Sequence, residues 1–153
     1  MSTALLLPCY SATCRQAARA ISQHYSEALR PAGIEGTHFT LTALVRSFPG
    51  STASEIGARM VMDKTTLTRT LRLMEAAQLI SWRPGQDRRE KRWTLTEHGE
   101  AVYQRAYPLW EQVQRDMRQA FGEDVLAAWQ GQTFQLAATL ANSASLGHAD
   151  RTP

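Results

Sequence analysis

The residues Asp63-Lys64-Thr65-Thr66-Leu67-Thr68-Arg69-Thr70-Leu71-Arg72-Leu73-Met74 decide how the rest of this chain is read. Leu67, Leu71 and Met74 recur at helical spacing, so one face of a helix must enter a core. The other face keeps Lys64, Thr65, Thr66, Thr68, Arg69 and Arg72 outside. Such a face suits duplex DNA. Arginine bonds a guanine edge through two hydrogen bonds, threonine reaches a phosphate or a thymine methyl, and a helix fits the width of the major groove. Taken alone, the stretch reads first as an amphipathic surface helix with a solvated face, and its neighbours must change that reading.

Downstream, Leu79-Ile80 leads into Ser81-Trp82-Arg83, a strand-like run, and Pro84-Gly85-Gln86-Asp87 has the chemistry of a turn. Arg88-Arg89-Glu90-Lys91-Arg92 and Trp93-Thr94-Leu95 form the returning arm. A helix-turn-helix followed at once by a hairpin with arginines at its tip is a winged helix, whose Arg88 and Arg89 can enter the minor groove. The charge distribution agrees. Residues 59–92 hold nine Lys/Arg against four Asp/Glu, a balance of +5 in a chain whose total is +3, so the remainder is slightly acidic.

Gly85, Asp87, Arg88, Arg89, Leu95, Thr96 and Gly99 stand in an order that resembles the wing signature of the MarR family of bacterial transcription regulators. Met62-Asp63-Lys64-Thr65-Thr66-Leu67-Thr68-Arg69 is similar to that family's recognition helix, and the resemblance extends from about Cys14 to Leu140. It implies a mainly α fold with a small β-hairpin wing: a winged helix-turn-helix flanked by N- and C-terminal dimerisation helices. It further implies a homodimer on double-stranded DNA. The signal would be a small phenolic or anionic effector held between the dimer helices and the winged helix, or oxidation of an N-terminal cysteine. Gln78 departs from the pattern, since many members have glycine there, and this puts the shape of the preceding helix end in question.

Working outward, 153 residues fit a single domain over 1–153, large enough to bury roughly two-thirds of its unfolded surface. Two cysteines, no apolar run of membrane length and no signal-peptide pattern imply a cytoplasmic chain without disulfides or a membrane partner. Met1–Leu7 is too short to span a bilayer and lacks a basic flank.

Cys14, Ala17, Ala18, Ile21, Tyr25, Ala28 and Leu29 keep a seven-residue rhythm that wants a partner helix, and Arg30-Pro31-Ala32-Gly33 ends it. Thr37 is expected to cap a second helix, buried through Leu41, Leu44, Val45 and Phe48. Thr52-Ala53-Ser54-Glu55 has the form of a capping box for a short helix burying Ile56 and Met60. Val61-Met62-Asp63 then turns into the recognition helix, with Asp63 as its cap.

Beyond the wing, Thr96 opens a long helix through Val102, Ala106, Leu109, Val113, Met117 and Ala120, which Pro108 should kink. Gly122 breaks it. A last helix carries Val125, Leu126, Trp129, Leu136 and Leu140, and the tail from Asn142 onward is expected to fray. The expected layout is a DNA-binding region over 37–99 between dimerisation helices over 8–31 and 100–144. The terminal seams predict a homodimer that presents two recognition helices roughly 34 Å apart to a pseudopalindromic operator. Packing of those seams on their own winged helix, in a monomer, is the alternative.

Catalysis has little foothold. His24, His38, His98 and His148 are scattered, and no phosphate loop, nucleophile elbow or metal-ligand spacing occurs, so neither an enzyme nor a cofactor is expected. The reading is a sequence-specific DNA-binding regulator, a repressor relieved by a small ligand or by cysteine modification. A winged-helix interaction module without specific DNA binding is the competing class. For the effector, Tyr10, Tyr25, His38, Arg46, Tyr107 and Trp110 are candidates to line a cavity, Arg46 or His38 meeting an anion; plain packing is the first reading of each aromatic. Cys9 and Cys14, just after Pro8 and near Arg15 and Arg19, would lie close to a helix N-terminus that favours thiolate, and are candidate sensing residues. The plainer reading makes Cys14 a small apolar residue of the seam.

Overall fold

A computed structural model describes residues 9–87 and 89–146; Met1–Leu7, Pro8, Arg88 and the tail after Leu146, including His148, lie outside them. Helix α1, Tyr10–Leu29, runs into a short tight turn, Arg30–Ala32, that ends at Gly33. Helices α2 (Gly36–Ser47), α3 (Ala53–Met60) and α4 (Lys64–Ala76) follow. The antiparallel strands β1 (Ile80–Pro84) and β2 (Lys91–Leu95) pair in a register that sets Ile80 opposite Leu95, Trp82 opposite Trp93 and Arg83 opposite Arg92. The chain closes with α5 (Glu97–Phe121) and α6 (Glu123–Leu146).

One apolar core joins the middle of the chain. Leu41 and Val45 of α2, Ile56 of α3, Leu67, Leu71 and Met74 of α4, Ile80 and Trp93 of the hairpin, and Val102 and Ala106 of α5 are buried together. Leu29, Ala32 and Ile34 bring the end of α1 into the same core. Thr42 is fully buried among these residues, and its hydroxyl is satisfied by donating to the His38 carbonyl at 2.7 Å. The long helix α5 therefore serves two masters: its first half closes the winged helix, and its second half lies along α1.

Several boundaries differ from the sequence expectations. Helix α2 starts at Gly36 with Glu35 at the N-cap and no side-chain cap bond, so Thr37 lies inside the helix. Phe48, expected in the core, is 42% exposed; α2 ends there, and the ring turns out to meet the Arg59 guanidinium, 3.9 Å from its centroid. Helix α5 continues through Pro108 to Phe121, and α6 extends to Leu146.

Val113 is 3% exposed within a single chain, so it belongs to the packing of the chain itself and not to an open seam. The open apolar surface lies elsewhere. On α6, Val125, Trp129, Phe134, Leu136 and Leu140 are all exposed, as is Phe121 at the end of α5.

Candidate nucleic-acid interface

The recognition face is built from its caps upward. Thr52 accepts from the Glu55 amide at 3.2 Å, and the Thr52 amide donates to the Glu55 carboxylate at 2.7 Å, which completes the capping box expected for α3. These bonds, from the Thr52 amide first and its hydroxyl second, hold the Glu55 carboxyl below its ordinary range. Helix α3 stops at Val61, which takes a left-handed conformation at φ 49°, an unusual one for a β-branched residue. Its amide caps the Gly57 carbonyl, and the chain turns directly into α4.

Asp63 then accepts from the Thr66 amide at 2.9 Å and caps α4 as expected. Hydrogen bonds from Thr66, side chain first and backbone second, lower the Asp63 carboxyl. An ionised cap at this end also favours the helix dipole.

With Leu67, Leu71 and Met74 turned inward, α4 presents Lys64, Thr65, Thr66, Arg69 and Arg72 as exposed side chains and Thr68 as a half-exposed one. The Thr68 hydroxyl donates back to the Lys64 carbonyl at 2.7 Å, and its oxygen keeps the capacity to accept a further hydrogen bond. Arg69, Arg72 and Arg89 form no ion pair among the described residues. A groove of 440 Å³ separates α4 from the wing, bordered by Ser54, Thr68, Arg72, Arg89 and Lys91 with Trp93 on its floor.

The wing sorts its cations by task, which the sequence could only count. Arg92 turns inward and donates to the Gly50 carbonyl at 3.2 Å and to the Glu90 carboxylate at 3.1 Å. Lys91 lies over the Trp82 indole, 4.0 Å from its centroid. Arg89 is exposed at the tip, where its backbone amide donates to the Asp87 carboxylate at 2.9 Å, so Asp87 shapes the turn. Arg88, the other wing candidate, lies outside the described residues. Ser54 and Lys91 border the groove without having been singled out in the sequence; Lys91 was visible there only as one charge among nine.

The candidate sensing residues do not converge on one cavity. Tyr25 is half-buried, and its hydroxyl accepts from Gln114; burial pushes it above the ordinary phenol range. It borders a cavity of 370 Å³ between α1, α2 and α3, and a smaller one of 150 Å³ against α5 and α6. Arg46 is already engaged: it donates to Glu100 at 3.0 Å and lies over the Tyr103 ring. Trp110 belongs to an aromatic cluster with Phe39 and Tyr107, at 6.0 and 5.6 Å between centroids. His38 is half-buried near the start of α2. Cys9 occupies the N-cap position of α1 and Cys14 its second turn; both are free and exposed within one chain.

Two helices across a tight turn, a basic outer face on the second, and a hairpin directly behind them define a winged helix-turn-helix protein. No protein-family model matches the chain. The crystal structure of the M. tuberculosis transcriptional regulator MosR in complex with DNA is 37% identical; the likeness covers 94% of this chain and 99% of that one at a TM-score of 0.70. The chain belongs to the MarR family of transcription regulators. MarR itself, at 18% identity and a TM-score of 0.69 over 95% of this chain and 97% of that one, shares the fold. The HTH-type transcriptional regulator YwoH of Bacillus subtilis (strain 168), itself uncharacterised, is 30% identical over 89 residues. That stretch is 58% of this chain and spans 65% of YwoH. Among the described residues no helix is long and apolar enough to cross a membrane.

Proposed function

We propose that the protein is a homodimeric transcription regulator that binds a pseudopalindromic operator in double-stranded DNA. Helix α4 enters the major groove, where Arg69 reads a base edge and Lys64, Thr65, Thr66, Thr68 and Arg72 hold phosphates and neighbouring base edges. Arg89 and Arg88 reach the minor groove from the wing. The observation that carries this reading is the capped helix α4, whose outer face is basic and hydroxyl-rich and whose exposed arginines form no ion pair among the described residues. The DNA bound in the MosR structure supports it.

The region over 37–99 does the binding, and the flanks over 8–31 and 100–144 assemble the dimer. The exposed apolar side chains of α6, from Val125 to Leu140, support that assignment, because one chain leaves them in water. DNA bound to both subunits would block a promoter, which makes repression in the cytoplasm the working mode, without catalysis and without a cofactor. Relief would come from a small aromatic or anionic effector beside Tyr25 or from modification of Cys9 or Cys14, whose exposure supports chemical access.

Salt titration of duplex binding is the test. Each half-site should neutralise several phosphates, so affinity should fall by orders of magnitude between about 50 and 200 mM salt. A flat response would identify an interaction module that does not use DNA.

A further inference from the structure

The wing is tied to the recognition helix at a point that DNA contact does not explain. Glu75, in the last turn of α4, accepts a hydrogen bond from the Trp82 indole Nε1 at 2.8 Å. Lys91 of β2 covers the face of the same indole, 4.0 Å from its centroid, and stands 5.5 Å from the Trp93 ring. Trp82 and Trp93 are cross-strand partners, and Lys91, two residues before Trp93, shares their side of the ribbon. The hydrogen bond fixes the edge of the indole and the cation fixes its face, so three elements meet at one ring.

The 440 Å³ groove lies between the wing and α4, bordered by Glu75 and Lys91 of this junction and by Arg72 and Arg89. On one side the base of the wing is held by Trp93 in the core and by Arg92 on the Gly50 carbonyl. On the side of the recognition helix it is held through Trp82.

The chemistry of Glu75 sharpens the point. A carboxylate bordering a basic, phosphate-facing groove repels DNA, so its placement there runs against binding unless it does something else. Lys91, for its part, spends its charge on an aromatic face.

We propose that Glu75, Trp82 and Lys91 are positioning residues for DNA recognition, which set the distance and angle between the wing arginines and the recognition helix. The proposal rests on the DNA-binding reading above. It assigns these three residues no contact with DNA.

The experiment uses the full chain and a duplex selected by the wild-type protein from a random-sequence library. Glu75→Leu removes the acceptor, and Trp82→Phe keeps the ring but removes the indole N–H. Each should weaken binding about fivefold to twentyfold, on the scale of one lost charge-assisted hydrogen bond. For Glu75→Leu this is opposite in sign to simple electrostatics, since deleting a negative charge near phosphates would tighten binding. Glu75→Gln keeps an acceptor and should bind as well as wild type or better.

In a background with Arg88→Ala and Arg89→Ala, neither Glu75→Leu nor Trp82→Phe should weaken binding further, because what they position is gone. Urea midpoints measured in parallel identify any loss that follows from unfolding. Tighter binding by Glu75→Leu, or an equal loss in the background without wing arginines, overturns the proposal. Failure of the wild-type protein to select any duplex overturns the DNA-binding reading itself, and is seen before a variant is made.

Discussion

Replacing Gly99 by alanine should unfold the protein more readily than almost any other single methyl addition. A Cβ built at Gly99 would lie 1.9 Å from the Leu79 carbonyl oxygen and 2.8 Å from its carbon. Ordinary contact begins at 3.4 Å, so the start of α5 and the junction between α4 and β1 would have to part by 3.4 − 1.9 = 1.5 Å. Both sides of that contact are backbone, so no side chain can rotate away. The same carbonyl accepts from the Thr96 amide at 3.2 Å and the Thr96 hydroxyl at 3.3 Å, and Thr96 also caps α5 through the Gly99 amide at 2.8 Å. Overpacking costs about 1–3 kcal/mol, and one or two weakened hydrogen bonds add roughly 0.5–1.5 kcal/mol each. The expected loss is about 2–5 kcal/mol, a large share of the roughly 5–15 kcal/mol available to a domain. Urea denaturation should show a lower midpoint at unchanged slope, and Tm should fall by about 4–20 °C. A loss under about 1 kcal/mol would refute the argument, because it would mean that α5 can slide at no cost.

Gln78, on the other side of that junction, should respond in the opposite direction: it holds φ 58°, so Gln78→Gly should leave stability unchanged or raise it by up to about 1 kcal/mol in the same denaturation assay. Arg69→Ala should cost about 1–3 kcal/mol at one base pair per half-site and relax preference there, whereas Arg89→Ala should weaken binding to all duplexes more evenly; equal loss of discrimination from both would contradict the division. For assembly, Trp129→Lys with Leu136→Lys should give monomers by sedimentation and far weaker operator binding, since two half-sites are no longer gripped together; a double variant that stays dimeric would refute the α6 interface. The folded-state values of Asp63, Glu55 and Glu100 are depressed, by Thr66, by Thr52 and, for Glu100, by Gln104 and then Arg46. Their contribution is therefore full above the ordinary values of 3.8 and 4.5 and is lost as pH falls through the lower folded ones, so Asp63→Asn, Glu55→Gln and Glu100→Gln together should flatten the fall of the urea midpoint below about pH 4.5.

Much of the protein was legible in its residues. Most local signals match the structure: Thr52 with Glu55 and Asp63 before Lys64 cap the helices they precede, Thr96 opens α5, and Leu67, Leu71 and Met74 define the buried face of α4, whereas Thr37 lies inside α2 instead of capping it. These signals lie within one or two helical turns, where spacing alone fixes which side chains share a face. The turn and strands of the wing followed from the same kind of short-range chemistry.

Tertiary structure decided what spacing could not. Gln78 adopts the left-handed conformation that glycine would supply, so the departure from the family pattern changes the strain at the helix end and not its course. Val113 repeats with Met117 on one heptad seam, yet it is buried inside the chain, while Phe134 on α6 is 72% exposed. Periodicity says that a face must be covered, and only the packing of α1 on α5 says by what. The nine cations of residues 59–92 are alike in a charge count, but Arg92 is tied to Gly50, Lys91 lies over an indole, and the Arg89 side chain is exposed at the tip with no ion pair among the described residues. Those fates depend on residues as far as 42 positions away, since Arg92 reaches Gly50 only because the hairpin folds back on the end of α2. A charge's role is set by which neighbour the fold brings within a few ångströms, and that distance is a property of the assembled chain.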